Sequence, residues 1–553
     1  MSDLAARLRS AVVDSSAPEA ERLRRLFELS WDWTMAEYPE WSTLIGRTDH
    51  NHRWAEQSPA AAPRRRVASV AQLEALRAID PARLNETDRI SHHLFRIERE
   101  DEIALADFRT HYMAVTQMDG VQQEIPRILE VMPMGTARQR EDYLARLRGV
   151  PRTLDQTIEL LTEAVAGSYT HARFPLRTLP DQVERQIVDR DELPPLLSAL
   201  SALPAGLEET ERAAFDAEAR AIYSNHIAPA LRRFHDFLTD RYLPSCREHI
   251  AWTELPDGRA WYEMLIRKHT TLDLSPDAIF QTGLDEVARI RAEMEHVMRS
   301  TGFTGSFEDF CEMLRTEPRF FHTSAEDLLT GYRDICKRVD PGLVRLFGRL
   351  PRLPYGVIEI PEFTAPSQTT AYYSPGSLAA GRPGWFYANT YDLPSRPRWE
   401  MEALALHEAV PGHHLQISLA QELDDLPEFR RHGWITAFGE GWALYAESLG
   451  TDLGFYQDPY SRFGQLTYEM WRAIRLVVDP GMHWKGWSRQ QAIDFFRANS
   501  SKPLHDIEVE IDRYIVWPGQ AVSYKIGELK IGALRDRAEA VMGDAFDLRG
   551  FHD

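Results

Sequence analysis

Within eight residues the segment His407-Glu408-Ala409-Val410-Pro411-Gly412-His413-His414 places three imidazoles and a carboxylate. Two neutral imidazoles and one carboxylate make a tetrahedral zinc site, and a catalytic site keeps its fourth position for water. The chemistry that follows is hydrolysis, with a neighbouring carboxylate taking the proton of the water at the metal. His407 and Glu408 stand at the positions for those two roles. The position four residues after His407, where a second histidine belongs in an H-E-x-x-H helix turn, is Pro411.

His413 and His414 are the remaining donors. On an ideal helix a six-residue step turns about 120° away from His407, and a seven-residue step returns to within about 20° but roughly 10 Å along the axis. Neither step places two ring nitrogens on one ion without distortion. Pro411 removes a ladder hydrogen bond and Gly412 tolerates unusual dihedrals. If the two loop out as a bulge, His413 returns to the one-turn position, so His413 is favoured over His414. A second motif begins about twenty residues later: Trp434-Ile-Thr-Ala-Phe-Gly-Glu440-Gly-Trp-Ala-Leu-Tyr445-Ala-Glu447. The distance suits a helix end, a loop and a returning helix. In zinc peptidases whose third ligand is a glutamate, that residue lies on such a helix, and the aminopeptidase branch has a similar Glu-Gly-aromatic-Ala-x-Tyr-x-Glu pattern. The likeness places the third ligand at Glu440 and gives Glu447, seven residues on along the same face, a supporting hydrogen bond.

The elements that must position these groups are mostly helices. Ser275 and Pro276 open a helix whose apolar residues, Ile279, Leu284, Val287, Ile290, Met294 and Val297, recur at three- and four-residue steps to about residue 300. Ser488 and Gln491 have capping-box spacing. Similar periodicity runs through 20–35, 98–118, 141–165, 206–240 and 440–452. Pro39, Pro59 and Pro63 mark loops, and Arg64-Arg65-Arg66 reads as a solvated loop. Strand patterns are local: 355–361, 369–373 and 385–389, which puts a small sheet just before His407. The three cysteines, Cys246, Cys311 and Cys336, are widely spaced and read as buried thiols.

The 553 residues carry a net charge of −20, from 64 Lys and Arg against 84 Asp and Glu. That balance opposes binding to nucleic acid. No apolar run is long enough to span a membrane, and the first residues have no secretory pattern, so the expectation is a cytoplasmic protein without a membrane partner.

Several segments together resemble the bacterial family catalogued as domain of unknown function 885. They are His407–Gln416, Gly439–Glu447, Arg475-Leu-Val-Val-Asp479, Gly486-Trp-Ser488 and Trp517–Gly527, with weaker likeness at Leu255-Pro-Asp-Gly258 and Arg382–Asn389. The resemblance covers at least residues 250–530. It implies a mainly α, large two-lobed helical fold with a deep cleft, similar to thermostable zinc carboxypeptidases and neurolysin-like oligopeptidases, with the small β-sheet beside the active-site helix. Many members of the family are exported lipoproteins, a location that the N-terminus read here does not suggest. Residues 1–553 are expected to form one catalytic unit, with a mainly helical N-terminal half over 1–270 and a catalytic half over 271–553.

The resemblance extends to supporting groups. Tyr524 is nominated as donor to the oxyanion of a tetrahedral intermediate, because similar peptidases present a tyrosine from a late helix. His483 is nominated for a hydrogen bond at the reaction centre. Arg472, Arg475 and Lys525 are candidates to hold a substrate carboxylate. Tyr373 and Tyr387, with Tyr372, lie on the expected strands and are candidates to line the substrate groove. The expected function is thus metal-dependent cleavage of a peptide or amide bond by a carboxypeptidase or oligopeptidase. His407, His413 and Glu440 hold Zn2+ (or Mn2+ or Co2+), His414 is the alternative ligand, and Glu408 is the general base. The expected partner is a peptide or small amide substrate, and the expected state a monomer or homodimer. The alternatives are hydrolysis of a small non-peptide amide or ester, and a catalytically inactive peptide-binding relative.

Overall fold

Long stretches of good helix formers with three- and four-residue apolar spacing give long amphipathic helices. A computed structural model describes residues 2–13, 17–188, 193–362, 365 and 368–553. Among the described residues helix accounts for 69% and strand for 4%, so the protein is mainly α and the sheet is a local device.

The chain divides into two compact units. The first comprises Met1–His249, Glu254–Asp257 and Pro427–Arg430; the second comprises Ile250–Thr253, Gly258–Leu426 and Arg431–Asp553.

The first unit includes α1 (Glu19–Glu37), α2 (Glu86–Asp107) and α3 (Ala137–Ala166). Leu23, Leu26 and Phe27 of α1 pack with Leu76, Ile79 and Phe95 in an apolar core. The helix expected over 98–118 is instead α2, which starts earlier, behind the cap Asn85, and stops at Asp107. Arg109 takes a left-handed conformation (φ 57°) just beyond the end. Neither glycine nor proline marks that stop, so periodicity alone overran it. Pro39 and Pro63 do not lie in loops. Each sits in the first turn of a helix, Pro39–Leu44 and Ala61–Arg77, where a missing N–H costs nothing. The arginine triplet therefore lies on a helix. Arg65 pairs with Glu37 at 2.8 Å and Arg66 with Asp107 at 2.7 Å.

The second unit includes α4 (Gly258–Thr270), α5 (Pro276–Ser300), α6 (Ala325–Leu346), α7 (Met401–Glu408), α8 (His413–Gln421), α9 (Thr436–Ser448), α10 (Pro459–His483), α11 (Leu504–Val516) and α12 (Ser523–Met542). Ser275 caps α5 as its spacing predicts, accepting from the Ala278 N–H at 3.2 Å. Ser488 and Gln491 form a reciprocal capping box at the start of Arg489–Asn499. The strands are β1 (Tyr355–Glu359), β2 (Ala371–Ser374) and β3 (Gly384–Ala388). Their order is β1-β3-β2, with β1 parallel and β2 antiparallel to β3. β3 alternates buried and half-buried residues, and its buried Phe386 packs on Tyr332 of α6 at 4.9 Å. β2 is an edge strand and lies beside α7.

α7 and α10 run through the middle of this unit. Nearly every residue of α10 from Phe463 to His483 is buried, and seven charged or polar members of the helix, including Arg472, Arg475 and Asp479, are buried with it. A helix buried on all sides must satisfy those charges internally, and the same network reaches the His-Glu motif. Among the described residues no helix is long and apolar enough to cross a membrane. Cys246, Cys311 and Cys336 are buried free thiols, with burial pushing each up to about 12.

Candidate metal centre

Met401-Glu-Ala-Leu-Ala-Leu-His-Glu408 consists of good helix formers apart from His407, and every residue of α7 but Glu402 is buried. Pro411 cannot donate to continue it. The chain leaves the helix after Glu408, passes a cis Val410–Pro411 peptide, and begins α8 at His413. The segment is thus two helices joined by a four-residue loop rather than one helix with a bulge. His414 N–H reaches back to the Ala409 carbonyl at 3.0 Å, and the Trp442 indole N–H of α9 holds the Pro411 carbonyl at 2.9 Å. The loop is tight at Gly412, where a Cβ would lie 1.9 Å from the His407 carbonyl oxygen.

That loop brings His413 back beside His407. Their rings meet edge to face with centroids 4.8 Å apart. α9 presents Glu440 between them: its Oε2 lies 3.7 Å from His407 Nε2 and 3.4 Å from His413 Nε2. One donor atom from each of the three residues falls within 4.8 Å of the others. Ligand atoms about 2.0–2.1 Å from a tetrahedral ion stand about 3.4 Å apart. Two imidazoles and one carboxylate at these separations, His407 and His413 both buried, fit a divalent ion of the zinc type.

The electrostatics have the same sense. Burial opposes charge on His407, yet the hydrogen bonds it donates to Glu440 and Glu447 prevail and hold it up to about 9. Burial would raise Glu440, but His413 and His407 hold it well below the usual carboxylate range. The two carboxylates thus favour positive charge at this spot, whether a proton or a metal ion carries it. Behind the centre, Glu447 is fully buried and accepts from His407 Nδ1 at 2.8 Å, while Arg472 approaches the same oxygen at 3.6 Å. His413 Nδ1 is buried and has no hydrogen-bond partner among the described residues. Its ring is held by packing, against His407 and against Trp434 at 5.8 Å. Glu408 is 7% exposed, and among the described residues its carboxylate has no hydrogen-bond or ion-pair partner.

Of the remaining nominated residues, Arg472 reaches from Glu447 toward the Tyr524 ring, 5.9 Å from its guanidinium, and most of the others make their contacts elsewhere. His414 turns to the sheet: its Nδ1 lies 2.8 Å from the Tyr373 hydroxyl, its ring packs on Tyr355, and burial pushes it down to about 4. Tyr387 stacks on Tyr372 across the β2–β3 pair at 4.8 Å. His483 is fully buried; its Nδ1 accepts from the Trp252 N–H at 3.2 Å and its Nε2 bonds the Tyr514 carbonyl at 2.9 Å. Those bonds use both ring nitrogens away from the cluster. The Lys525 ammonium, 1% exposed, is ringed by Glu469 at 2.9 Å, Glu528 at 2.8 Å and Glu286 at 3.2 Å, an internal ion cluster rather than an open binding group. Arg475 pairs with Glu510 at 3.0 Å and donates to the Tyr514 hydroxyl at 2.7 Å. Tyr524 lies under that guanidinium, 4.3 Å from it, and its hydroxyl accepts from Arg513 at 3.1 Å. Burial would raise Glu510, but Arg513 and Arg475 hold it down.

Two further features stand near these groups. Arg513 has no motif to mark it. Trp434 and Phe438 open the second motif and are 48% and 58% exposed, and a cluster of large apolar residues at a helix start was a readable signal.

The family described as "Bacterial protein of unknown function (DUF885)" matches residues 39–553. No curated protein matches the sequence. A crystal structure described as a "putative lipoprotein" from Colwellia psychrerythraea is similar over 97% of this chain and 95% of that one, at 26% identity and a TM-score of 0.92. A second, described as a "putative lipoprotein of unknown function" from Shewanella oneidensis, covers 96% of each chain at 17% identity with a TM-score of 0.68, which is a likeness of fold.

Proposed function

The chain belongs to the bacterial family of unknown function DUF885, and we propose that this member is a metal-dependent hydrolase of peptide or amide bonds, a carboxypeptidase or small oligopeptidase. In the proposal His407, His413 and Glu440 hold Zn2+, with Mn2+ or Co2+ as substitutes. The observation that carries it is the unpartnered, nearly buried Glu408 carboxylate adjoining three converging donor atoms. Pure binding has no use for such a base, which weighs against an inactive relative. A divalent ion in this position supplies Lewis acidity to the scissile carbonyl and acidifies water.

The chain's own groups supply the rest. Glu408 takes the proton of the attacking water and returns it to the leaving amine. Glu447 accepts a hydrogen bond from His407 Nδ1, which fixes the ring with Nε2 facing the other two donor atoms. The Tyr524 hydroxyl accepts from Arg513, so its own proton is free to meet developing negative charge on the substrate oxygen. The edge strand β2 beside α7 offers backbone groups to an extended substrate, which favours a peptide over a compact small amide. The fold that the DUF885 resemblance implies, similar to thermostable zinc carboxypeptidases and neurolysin-like oligopeptidases, would serve the same chemistry.

The proposal includes a cytoplasmic location, no nucleic-acid or membrane partner, and a monomer or homodimer. Fractionation of the native host separates this location from the attachment that "lipoprotein" implies for the two solved relatives. The function itself is tested on purified protein by metal analysis and by mass spectrometry of a mixed peptide library, before and after chelation. About one zinc per chain with chelator-sensitive cleavage supports it. Full cleavage after complete removal of metal refutes it.

A further inference from the structure

Scattered exposed apolar side chains are ordinary on a protein surface and need no account. The segment entering α9 is different. Trp434, Ile435 and Phe438 are three large apolar residues within five positions, each between 38% and 58% exposed. They stand immediately before Glu440 on the chain. Trp434 also touches the centre itself, its ring 5.8 Å from the His413 ring. The indole lies close on the start of α9: a Cβ on Gly439 would sit 2.2 Å from it. Glycine at 439 therefore lets a large ring lie against the helix start, next to a candidate ligand, while about half its surface stays open. Phe438, four residues on, is held from behind through its backbone, where the Gln416 amide donates to its carbonyl at 3.2 Å. A rigid aromatic face beside a polar reaction centre has a use: it takes up an apolar group of the molecule whose polar bond is at the centre.

We propose that Trp434 and Phe438 form an apolar subsite that receives an aromatic or large aliphatic side chain of the substrate next to the bond that is cut. This rests on the hydrolase function proposed above and narrows its substrate class to apolar-residue peptides or amides. Small residues at that position gain no contact, and acidic ones lose hydration against the rings.

The test compares zinc-loaded wild type, Trp434→Ala, Trp434→Phe and Phe438→Ala on matched fluorogenic peptides carrying Phe, Leu, Gly or Glu at each position flanking the cleaved bond. At one flanking position kcat/KM for Phe over Gly is expected to reach at least about tenfold in wild type. Trp434→Ala should reduce that ratio at least fivefold, and Trp434→Phe should restore most of it. Because Trp434 also packs on His413, zinc stoichiometry is measured for each variant; the ratio between substrates does not respond to a uniform loss of active sites. A parallel arm measures binding of N-acetyl-phenylalanine amide and N-acetyl-glycine amide to wild type and Trp434→Ala by calorimetry.

Turnover with a Phe preference that disappears in Trp434→Ala supports the subsite. Turnover with no apolar preference, or one that Trp434→Ala leaves intact, overturns it and leaves the hydrolase proposal standing. Selective, Trp434-dependent binding of the phenylalanine amide without turnover of any peptide supports an apolar subsite and rejects the peptidase activity. Neither turnover nor selective binding rejects both.

Discussion

Glu447 accepts a hydrogen bond from His407 Nδ1 at 2.8 Å, and Arg472 holds the same carboxylate oxygen from the other side at 3.6 Å. Glu447 is fully buried, so it serves no solvent-facing purpose. Carboxylates behind ligating histidines fix ring orientation and raise ligand basicity, and their loss costs about 10- to 100-fold in metal affinity. Glu447→Gln should therefore weaken zinc binding by that factor while the protein stays folded, as read by competition with a chromophoric chelator. Affinity equal to wild type would remove Glu447 from the centre's support.

Gly412 is where the α7–α8 loop passes the His407 carbonyl. Any side chain there meets that oxygen at 1.9 Å, and backbone cannot yield as a flexible side chain does. Gly412→Ala should lower stability by about 3 kcal/mol or more, and should lose zinc binding even where folded protein is recovered, because His413 can no longer face His407. Denaturant unfolding and metal analysis of the same preparation check both parts.

Asp479 provides a pH signature independent of the candidate ligands. It is fully buried on α10, receives the Tyr262 hydroxyl at 2.5 Å and the Gly519 N–H at 3.1 Å, and burial raises it to about 7 against those bonds. The unfolded chain titrates near 3.9. Between these values the folded protein holds a proton that the unfolded chain has released, so stability is greatest at low pH on this account and declines as pH rises to about 7, then levels. Between pH 5 and 7 the decline is on the order of 2 kcal/mol. Asp479→Asn should flatten that part of the profile in urea melts at pH 5, 6 and 7. Parallel profiles for the two proteins would contradict the assignment.

Lys502 and Glu400 form a buried ion pair, 3% and 5% exposed, with the ammonium also over the Tyr468 and Trp471 rings at 4.7 and 4.8 Å. Removing one partner strands the other, so Lys502→Met should cost about 3–5 kcal/mol. Adding Glu400→Leu removes the stranded charge, and the double variant should recover most of the loss in the same denaturant titration. A double variant no better than Lys502→Met would mean that the pair's packing, not its charge, sets the cost.

Parts of this molecule were legible in the residues and parts were not, for physical reasons. The three strands lay within a residue or two of their expected places because aromatic and β-branched runs end at proline or glycine. The meeting of His407, His413 and Glu440 followed from Pro411 interrupting a helix and from the second motif, although the interruption is a full break with a loop. The end of α2 at Asp107 was invisible because a left-handed arginine, not a glycine, follows it. Lys525 and His483 sit within suggestive motifs, but which groups face a buried side chain depends on distant segments: Glu286 and Glu469 for one, Trp252 and Tyr514 for the other. Local spacing carries no information about such pairings.

The central claim is that Glu408 acts as the base at a metal held by its neighbours. Glu408→Gln keeps the side chain's size and removes its basicity. Zinc content by plasma mass spectrometry should match wild type, since Glu408 is not among the three converging residues, while peptide turnover should fall at least about 100-fold. Turnover equal to wild type at equal zinc content would contradict the account.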